Sequence, residues 1–333
     1  MNRIRVLDDY YLAITLLITV VYQLLFFSVA YSLKFDKLTD FAGGTNFALL
    51  AILTLGFSGE QDARQIVASI FLVLWAIRLS GFLLFRILKT GKDDRFDDKR
   101  DKFFPFLGFW IFQMLWVWIV SLPVTVLNSP GVLRYDQPAF GTVQDVVGVI
   151  FYIVGLTMES VSDLQKYLFK ARTIDKFAFY DQGLFAWSRH PNYFGDILTQ
   201  FGRCSHPKLY PKLTIFMICV TPATHNYVTG RAYDILYATI TGPIFLTFLL
   251  MFVSGLPISE RATAKKQYEN KNHWEAFKLY TERTSILIPF MPSIYVKLPI
   301  IVKRTIFLEF PIYVFNPPNQ ANSEPPEERL GSR

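Results

Sequence analysis

The chain has 333 residues, of which 52% are hydrophobic and 17% aromatic, while only 18% are charged. Soluble domains carry roughly 25% charged residues, so this composition argues against a soluble protein and for one membrane-embedded body. A net charge of +7 in so apolar a chain is better explained by cytosolic loops and anionic lipid headgroups than by nucleic-acid binding.

Seven apolar stretches have lengths near the roughly 20 residues that a helix needs to cross a bilayer. The N-terminal stretch is too long for a signal-peptide core and has no small-residue cleavage site, so we expect it to be retained as a span. The pattern predicts an all-α fold, a polytopic membrane bundle of about seven helices. The predicted spans are 10–33, 41–57, 65–88, 103–127, 143–160, 193–222 and 233–257.

The spans and the segments around them divide the chain into four regions. We expect an N-terminal helix and loop at 1–40 and the main membrane domain at 41–290. The segment 291–315 is apolar but interrupted by prolines, which favours a membrane-associated surface segment over a straight span. The tail 316–333 is polar and rich in proline, which predicts disorder.

The lysines and arginines of the loops are concentrated on one side of the membrane if the predicted spans alternate. That side carries the loops 34–40, 89–102, 161–192 and 258–284. Because cytosolic loops are enriched in Lys and Arg, we expect these four loops to face the cytosol. A soluble, anionic cofactor would arrive at the same face.

A stripe of charged residues follows the span at 143–160. Glu159, Asp163, Lys166 and Lys170 recur at helical spacing, so they share one face of a helix. One interpretation is an ordinary helix end with Glu–Lys pairs on its surface. The other is functional, because Glu159 and Asp163 directly follow an apolar run and ionisable groups at membrane depth are costly.

The stretch "WSRHPNYFGD" places an unusual number of polar side chains just before another apolar run. Pro191 suits the first position of a helix, whose free backbone N–H groups attract phosphate or a polar headgroup. Arg189 and His190 add donors that suit a phosphate or a carboxamide. The alternative is that these residues only cap and stabilise the turn. The polar residues are Ser188, Arg189, His190, Asn192 and Asp196.

Two further charged positions lie in or beside spans. Arg78 lies deep in 65–88 and needs an inward-facing partner, for which Glu159, Asp163 or Asp196 are candidates. Glu260 lies where the last span is expected to reach the cytosol, and a basic amphipathic stretch follows it. That stretch is either a plain interfacial helix or a cover over the site.

Several catalytic motifs are missing from the sequence. It contains no GxGxxG, no GxxxxGK[ST], no HExxH and no GxSxG. The two cysteines form no CxxC pair, and the four histidines are scattered, so we expect no metal site. A cofactor, if present, must be held by the membrane body itself.

The motifs resemble those of one group of membrane enzymes. "RHPNYFGD" looks like the signature of the delta-14 and delta-7 sterol reductases. The wider pattern, "E..SD.QK..FK", "GLFAWSRHPNYFG", "GP…LL..F.SG.P..E" and "Y..RTS..IPF", resembles the steroid 5-alpha-reductase-like family. The resemblance runs from about Asp40 to Phe290, and its most specific part is 159–202.

This resemblance implies a helical bundle that binds NADPH in its cytosolic half and a hydrophobic lipid or steroid in its interior. By motif position, three residues would contact the adenosine and phosphate end of the cofactor: Glu159, Asp163 and Lys170. Others would line the cofactor or close over it: Arg189, His190, Asn192, Tyr193, Asp196 and Arg283. In a eukaryotic cell the resemblance implies the endoplasmic reticulum.

The chain departs from the family at the substrate pair. In the 5-alpha reductases a tyrosine three residues before an arginine polarises the substrate ketone, and the matching pair here is Trp75 and Arg78. Indole has no acidic hydroxyl, so that role does not transfer. The "WWG" of many relatives is "TQFG" here, followed by the polar "RCSHPKLYPK".

Together these patterns predict an NADPH-dependent membrane reductase of a lipid carbon–carbon double bond. Tyr193, Asp196 and Glu260 are the candidates for delivering the proton. The more distantly related isoprenylcysteine carboxyl methyltransferases share an "RHP.Y.G" turn, so an S-adenosylmethionine-dependent lipid methyltransferase stays open. A non-catalytic membrane protein derived from a reductase is the third possibility. The expected partners are membrane lipids and the hydrophobic substrate, with no nucleic acid and no metal.

Overall fold

The fold was determined as a computed structural model, which describes residues 4–34, 38–59, 61–90, 101–175, 177–203, 228–270 and 273–315. The regular elements in these ranges are all helical, which confirms the all-α prediction. The predicted loop residues 91–100 and the predicted disordered tail 316–333 lie outside the described residues.

The helices are numbered here in chain order. They are α1 Leu12–Ser32, α2 Thr39–Phe57, α3 Ala63–Thr90, α4 Phe103–Leu127, α5 Pro130–Leu133, α6 Val143–Arg172, α7 Pro191–Arg203, α8 Arg231–Ala238, α9 Thr241–Phe248, α10 Leu256–Glu269, α11 Trp274–Arg283, α12 Pro292–Tyr295 and α13 Ile300–Thr305. Short 3₁₀ turns occupy Gly183–Ala186 and Pro311–Tyr313, and a π-helical turn occupies Leu249–Val253.

Within the described ranges, six helices or continuous helical runs are long and apolar enough to cross a membrane. By helix length and hydropathy the chain is therefore a multi-pass integral membrane protein. Five of the seven predicted spans match single helices, and the predicted 233–257 falls within the run Arg231–Glu269. The predicted span 193–222 begins as α7, and its residues from 204 onward lie outside the described part of the chain.

The chain divides into two compact units. Unit 1 comprises Met1–Val161 and Asn192–Phe248, and unit 2 comprises Ser162–Pro191 and Leu249–Arg333. Unit 1 contains α1 to α5, α6 as far as Val161, and the helices α7 to α9. Unit 2 contains the rest of α6, from Ser162 onward, and the helices α10 to α13. The four regions expected from the sequence stay a prediction.

Buried amides join α1, α2 and α4 in unit 1. Gln23 donates to the Asn46 side chain at 3.1 Å, and Gln113 donates to Gln23 at 3.0 Å. All three side chains are nearly fully buried. Polar residues inside a membrane protein are tolerated where they bond across helices, because the lipid offers no partner. The amide chain therefore fixes how these three helices pack.

The helices α3 and α6 run parallel and in register in unit 1. At their first turns Arg64 forms a buried ion pair with Asp145 at 2.9 Å. One heptad further along each helix, the rings of Phe71 and Tyr152 stack with centroids 3.8 Å apart. The Tyr152 hydroxyl also donates to the carbonyl oxygen of Phe71 at 2.8 Å. A seven-residue repeat keeps the same faces of two helices in contact, as in a coiled coil.

Candidate functional site

The next contact in the α3–α6 register brings two charged residues together inside unit 1. Arg78 and Glu159 form an ion pair, and Arg78 also donates to the carbonyl oxygen of Glu159 at 3.1 Å. The side chains are 15% and 5% exposed, respectively. Both residues lie in helices long enough to span a membrane. Of the three acids predicted as candidates for pairing with Arg78, the structure pairs it with Glu159.

One turn earlier on α3, the indole of Trp75 contacts α7. Its Nε1–H donates to the Asp196 carboxylate at 3.0 Å. Trp75 is fully buried, and Phe47 packs against its indole edge to face with centroids 5.0 Å apart. The indole therefore stabilises the Asp196 carboxylate as a fixed hydrogen-bond donor.

Two glycines let α7 approach α6 at backbone distance. A Cβ on Gly195 would lie 2.6 Å from both the amide nitrogen of Glu159 and the carbonyl oxygen of Gly155. A Cβ on Gly155 would lie 2.5 Å from the Thr199 hydroxyl. Real Cβ contacts are essentially never that short, so both positions require glycine. The close approach places Asp196 next to the pair on α3.

Unit 1 thus brings together four of the residues predicted for the site. We name them the α3–α6–α7 cluster: Trp75, Arg78, Glu159 and Asp196. Asn192 and Tyr193 are partly buried in the first turn of α7. Asn192 lies one helical turn before Asp196, so the two share a face of α7.

In unit 2, backbone pairing fixes the segment that carries Arg189 and His190. Ser188 and Ser285 form a parallel bridge. The amide of Arg189 donates to the Ser285 carbonyl at 2.8 Å, and that of His190 donates to the Ile286 carbonyl at 3.2 Å. These backbone hydrogen bonds hold the segment 188–190 against 285–286. They therefore fix the backbone positions from which the Arg189 and His190 side chains extend.

Those two side chains belong to a buried ion cluster in unit 2. Arg189 pairs with Glu260 at 2.6 Å and with Glu309. His190 Nε2 lies 2.6 Å from the other Glu260 oxygen. We name these four residues the Arg189 cluster. In the part of the chain that the structure describes, no group of His, Cys, Asp or Glu is arranged to hold a metal ion.

Burial and charge act against each other in the Arg189 cluster. Burial lowers the pKa of His190, and the hydrogen bond that its ring donates to Glu260 opposes that shift only in part. Burial also disfavours the charged form of Arg189, but Glu260 and Glu309 outweigh it, so its pKa is raised. Tyr295 donates to Glu309 at 2.5 Å, and burial followed by that carboxylate raises the pKa of Tyr295. The cluster is thus a cation between two carboxylates beside a histidine whose neutral form is favoured.

The remaining predicted cofactor residues also lie in unit 2. Arg283 is half-exposed and pairs with Asp181 at 2.9 Å. Asp163 is partly buried and Lys170 is exposed on the last part of α6. Lys166 lies over the ring of Phe185, with Nζ 5.8 Å from its centroid. These residues form the most exposed set of charges among the positions predicted for the cofactor.

Sequence reasoning missed two kinds of residue. Glu309 and Tyr295 are distant in sequence from every motif, and no periodicity connects them to Arg189. Gly155 and Gly195 could have been identified from the sequence, because a glycine inside an apolar helix often marks a close contact with another helix.

Comparisons with known proteins found one match. A family described as "Protein of unknown function (DUF1295)" matches residues 26–209 and 224–284. No curated protein and no solved structure matches the chain. The matched residues include the α3–α6–α7 cluster and the Arg189–His190 segment, whereas Glu309 and Tyr295 lie beyond them.

Proposed function

The chain belongs to the DUF1295 family of membrane proteins of unknown function, and we propose that it is an NADPH-dependent reductase of a lipid carbon–carbon double bond. The substrate class is a steroid, a sterol or another hydrophobic lipid. The proposal is supported by the resemblance of its motifs to steroid 5-alpha-reductase-like enzymes. The main structural support is a set of contacts within unit 1, in which the residues that we assign to the substrate touch residues that we assign to the cofactor.

That observation concerns the α3–α6–α7 cluster. Trp75 and Arg78 match the substrate positions of the 5-alpha reductases that the motifs resemble, and each contacts a residue that we assign to the cofactor. Ionisable side chains inside membrane-spanning helices are costly and are functional candidates by default. The carboxylate of Glu159 is held by an ion pair and that of Asp196 by an indole N–H, so both have a fixed orientation.

Reduction of a double bond adds a hydride to one carbon and a proton to the other. NADPH, when bound, supplies the hydride. The chain supplies placement, exclusion of water by apolar walls, and the proton. We propose Tyr193, or Asp196 in its protonated form, as the proton donor. Glu260, the third candidate, accepts from both Arg189 and His190 in unit 2, so we assign it a positioning role.

Some of the basic side chains of unit 2 are accessible to an anionic ligand, and others are not. Lys170 is exposed and Arg283 is half-exposed, so phosphate oxygens can reach them. Arg189 is buried between two carboxylates, so we propose that it positions the segment and does not contact phosphate. His190 has the same role through its contact with Glu260.

The asymmetry of Lys and Arg between the loops supports a cytosolic cofactor face. In a eukaryotic cell we propose the endoplasmic reticulum, because the resembling enzymes act on lipids made there. Residence in another membrane would leave the chemistry of the site unchanged.

The proposal is tested by cofactor binding to the full-length protein in detergent. NADPH and S-adenosylmethionine are titrated against the wild type, Asn192→Ala and the control Asn270→Ala, which changes an equally half-buried asparagine in unit 2. We expect micromolar NADPH binding that only Asn192→Ala abolishes. Binding of S-adenosylmethionine instead would assign the chain to the methyltransferases. Binding of neither would favour the non-catalytic alternative.

Turnover is tested separately with NADPH that carries deuterium at the transferred position. The wild type is incubated with extracted membrane lipids, and deuterium incorporation is followed by mass spectrometry. We expect a reduced lipid that carries the label. Cofactor binding without any labelled product would contradict the assigned reaction.

A further inference from the structure

The C-terminal described residues present an apolar outer surface in unit 2, beyond the residues that the family matches. Eight large hydrophobic side chains are exposed between positions 291 and 314. We name them the 291–314 surface: Met291, Ile294, Val296, Ile300, Ile301, Ile306, Ile312 and Val314. Such a density of exposed apolar residues marks an interaction surface.

The segment behind this surface is firmly anchored. Tyr295 and Phe307 are buried, and their rings meet edge to face with centroids 5.1 Å apart. Phe290 contacts Phe307 in the same way at 4.9 Å. The Tyr295 hydroxyl donates to Glu309 at 2.5 Å. The exposed isoleucines therefore belong to a segment that its buried aromatic side chains hold in place within unit 2.

Apart from Glu309, which pairs with the buried Arg189, the charged residues on this segment are all positive. No aspartate or glutamate occurs from Thr284 to Leu308, whereas Lys297, Lys303 and Arg304 do. Lys303 is turned inward, because its Nζ lies 4.5 Å from the Tyr295 ring centroid. Lys297 and Arg304 are exposed and form no ion pair with any residue that the structure describes. Two cations are thus available beside the apolar face.

We propose that the 291–314 surface lies in the headgroup–acyl boundary of an anionic lipid leaflet. Apolar side chains flanked by Lys and Arg, without acids, are typical of interfacial anchors, and anionic headgroups attract those cations. The isoleucines enter the acyl boundary, and Lys297 and Arg304 contact lipid phosphates. The positive charges of Lys297 and Arg304 favour an anionic lipid surface over a neutral apolar partner, because a neutral partner would leave both cations without a counter-charge. The inference is independent of the proposed reductase activity.

The experiment uses the full-length protein with both cysteines replaced by alanine. An environment-sensitive fluorophore is attached at Ile301→Cys, and the protein is placed in nanodiscs of phosphatidylcholine with or without phosphatidylserine. Lipids with a spin label just below the headgroup quench a fluorophore at the boundary. The matched control is Ile174→Cys, because Ile174 is also in unit 2, is 98% exposed and is next to the acidic Asp175.

We expect strong quenching at position 301 in discs with phosphatidylserine, weaker quenching without it, and none at position 174. The double variant Lys297→Gln/Arg304→Gln should lower the ratio of bound to free segment by about fivefold per cation. A label at 301 that stays in water in both discs overturns the proposal. Equal quenching in both discs, unchanged by the double variant, also overturns it, as does shielding that depends on a second copy of the chain.

Discussion

Arg78 and Glu159 lie at equivalent positions of two parallel helices, each two heptads beyond the partners of the buried Arg64–Asp145 ion pair. The offset in sequence is 81 residues for both pairs. Arg64 and Asp145 hold the first turns of α3 and α6 together, and the Phe71–Tyr152 contact continues the seven-residue register as far as Arg78 and Glu159. The first ion pair therefore sets the register of the second.

The first prediction concerns the cost of separating that pair. Arg78→Met leaves the Glu159 carboxylate buried without its cation, so we expect the free energy of unfolding to fall by about 3 kcal/mol. Chemical denaturation in detergent measures the loss. The double variant Arg78→Met/Glu159→Met should recover most of it, because an apolar pair replaces the charged one. Losses that simply add would show that the two side chains are not coupled.

The second prediction concerns the contact between α6 and α7. In Gly195→Ala the new Cβ meets backbone atoms of Gly155 and Glu159 at 2.6 Å, and backbone cannot rotate away. We expect the free energy of unfolding to fall by about 1–3 kcal/mol, as in other overpacked contacts. NADPH affinity should fall with it, because α7 carries Asp196.

The matched control is Gly81→Ala, which changes a helical glycine of α3 with no atom within 4 Å of its Cβ position. It should be neutral or stabilise the protein by up to about 1 kcal/mol, because alanine is the better helix former. Equal destabilisation by both substitutions would refute the close packing of α6 and α7.

The third prediction separates hydrogen bonding from proton delivery at Asp196. Asp196→Asn keeps an amide oxygen that can accept from Trp75, so the thermal midpoint and NADPH affinity should stay near those of the wild type. Turnover should fall by about 10²–10⁴, the usual contribution of a general acid. The control Asp234→Asn changes an exposed carboxylate of unit 1. Full turnover in Asp196→Asn would transfer the role of proton donor to Tyr193.

The sequence was enough to predict most of the long apolar helices and to reduce the partner of Arg78 to three acids, Glu159, Asp163 and Asp196. An ionisable residue in an apolar span must find a counter-charge, and few acids were available at membrane depth. It could not predict that Trp75 donates to Asp196, because helical periodicity describes one helix at a time. Which helices become neighbours is decided by contacts such as the Gly155–Gly195 approach, which the spacing of residues does not encode.

The Arg189 cluster shows the same limit over a longer distance. Arg189 and His190 were identified from a local concentration of polar residues. The carboxylate of Glu309 is 120 residues away from Arg189 and follows an apolar segment without a motif. A contact between residues so far apart depends on the tertiary fold, so the motif alone suggested that the guanidinium was available to a ligand.

The fourth prediction tests whether Glu309 stabilises Arg189. Glu309→Gln keeps a group that can accept from Tyr295 but removes one of the two charges that balance the guanidinium. We expect the free energy of unfolding to fall by about 1–3 kcal/mol, the range for a buried hydrogen bond to a charged group. Glu282→Gln, which changes an exposed glutamate of the same unit, should leave stability unchanged. No loss in Glu309→Gln would mean that Glu260 alone balances Arg189.

The fifth prediction concerns pH and His190. Burial lowers the pKa of this histidine in the folded protein below its usual value of about 6.5. The unfolded chain therefore binds the proton more readily than the folded chain. The stabilisation is complete above pH of about 6.5 and is lost as the pH falls through the folded pKa, with a slope of up to about 1.4 kcal/mol per pH unit.

Thermal midpoints in detergent, measured from neutral pH down to about pH 5, isolate this effect, because most carboxylates titrate below that range. His190→Gln keeps a donor for Glu260 but cannot be protonated, so its midpoint should change less with pH than that of the wild type. His273→Gln, which removes a partly exposed histidine that contacts Asp175, is the control for replacing a histidine by glutamine elsewhere in unit 2. If His190→Gln and the wild type lose stability in parallel, a group other than His190 takes up the proton, and the neutral histidine beside Glu260 is not what acidification disrupts.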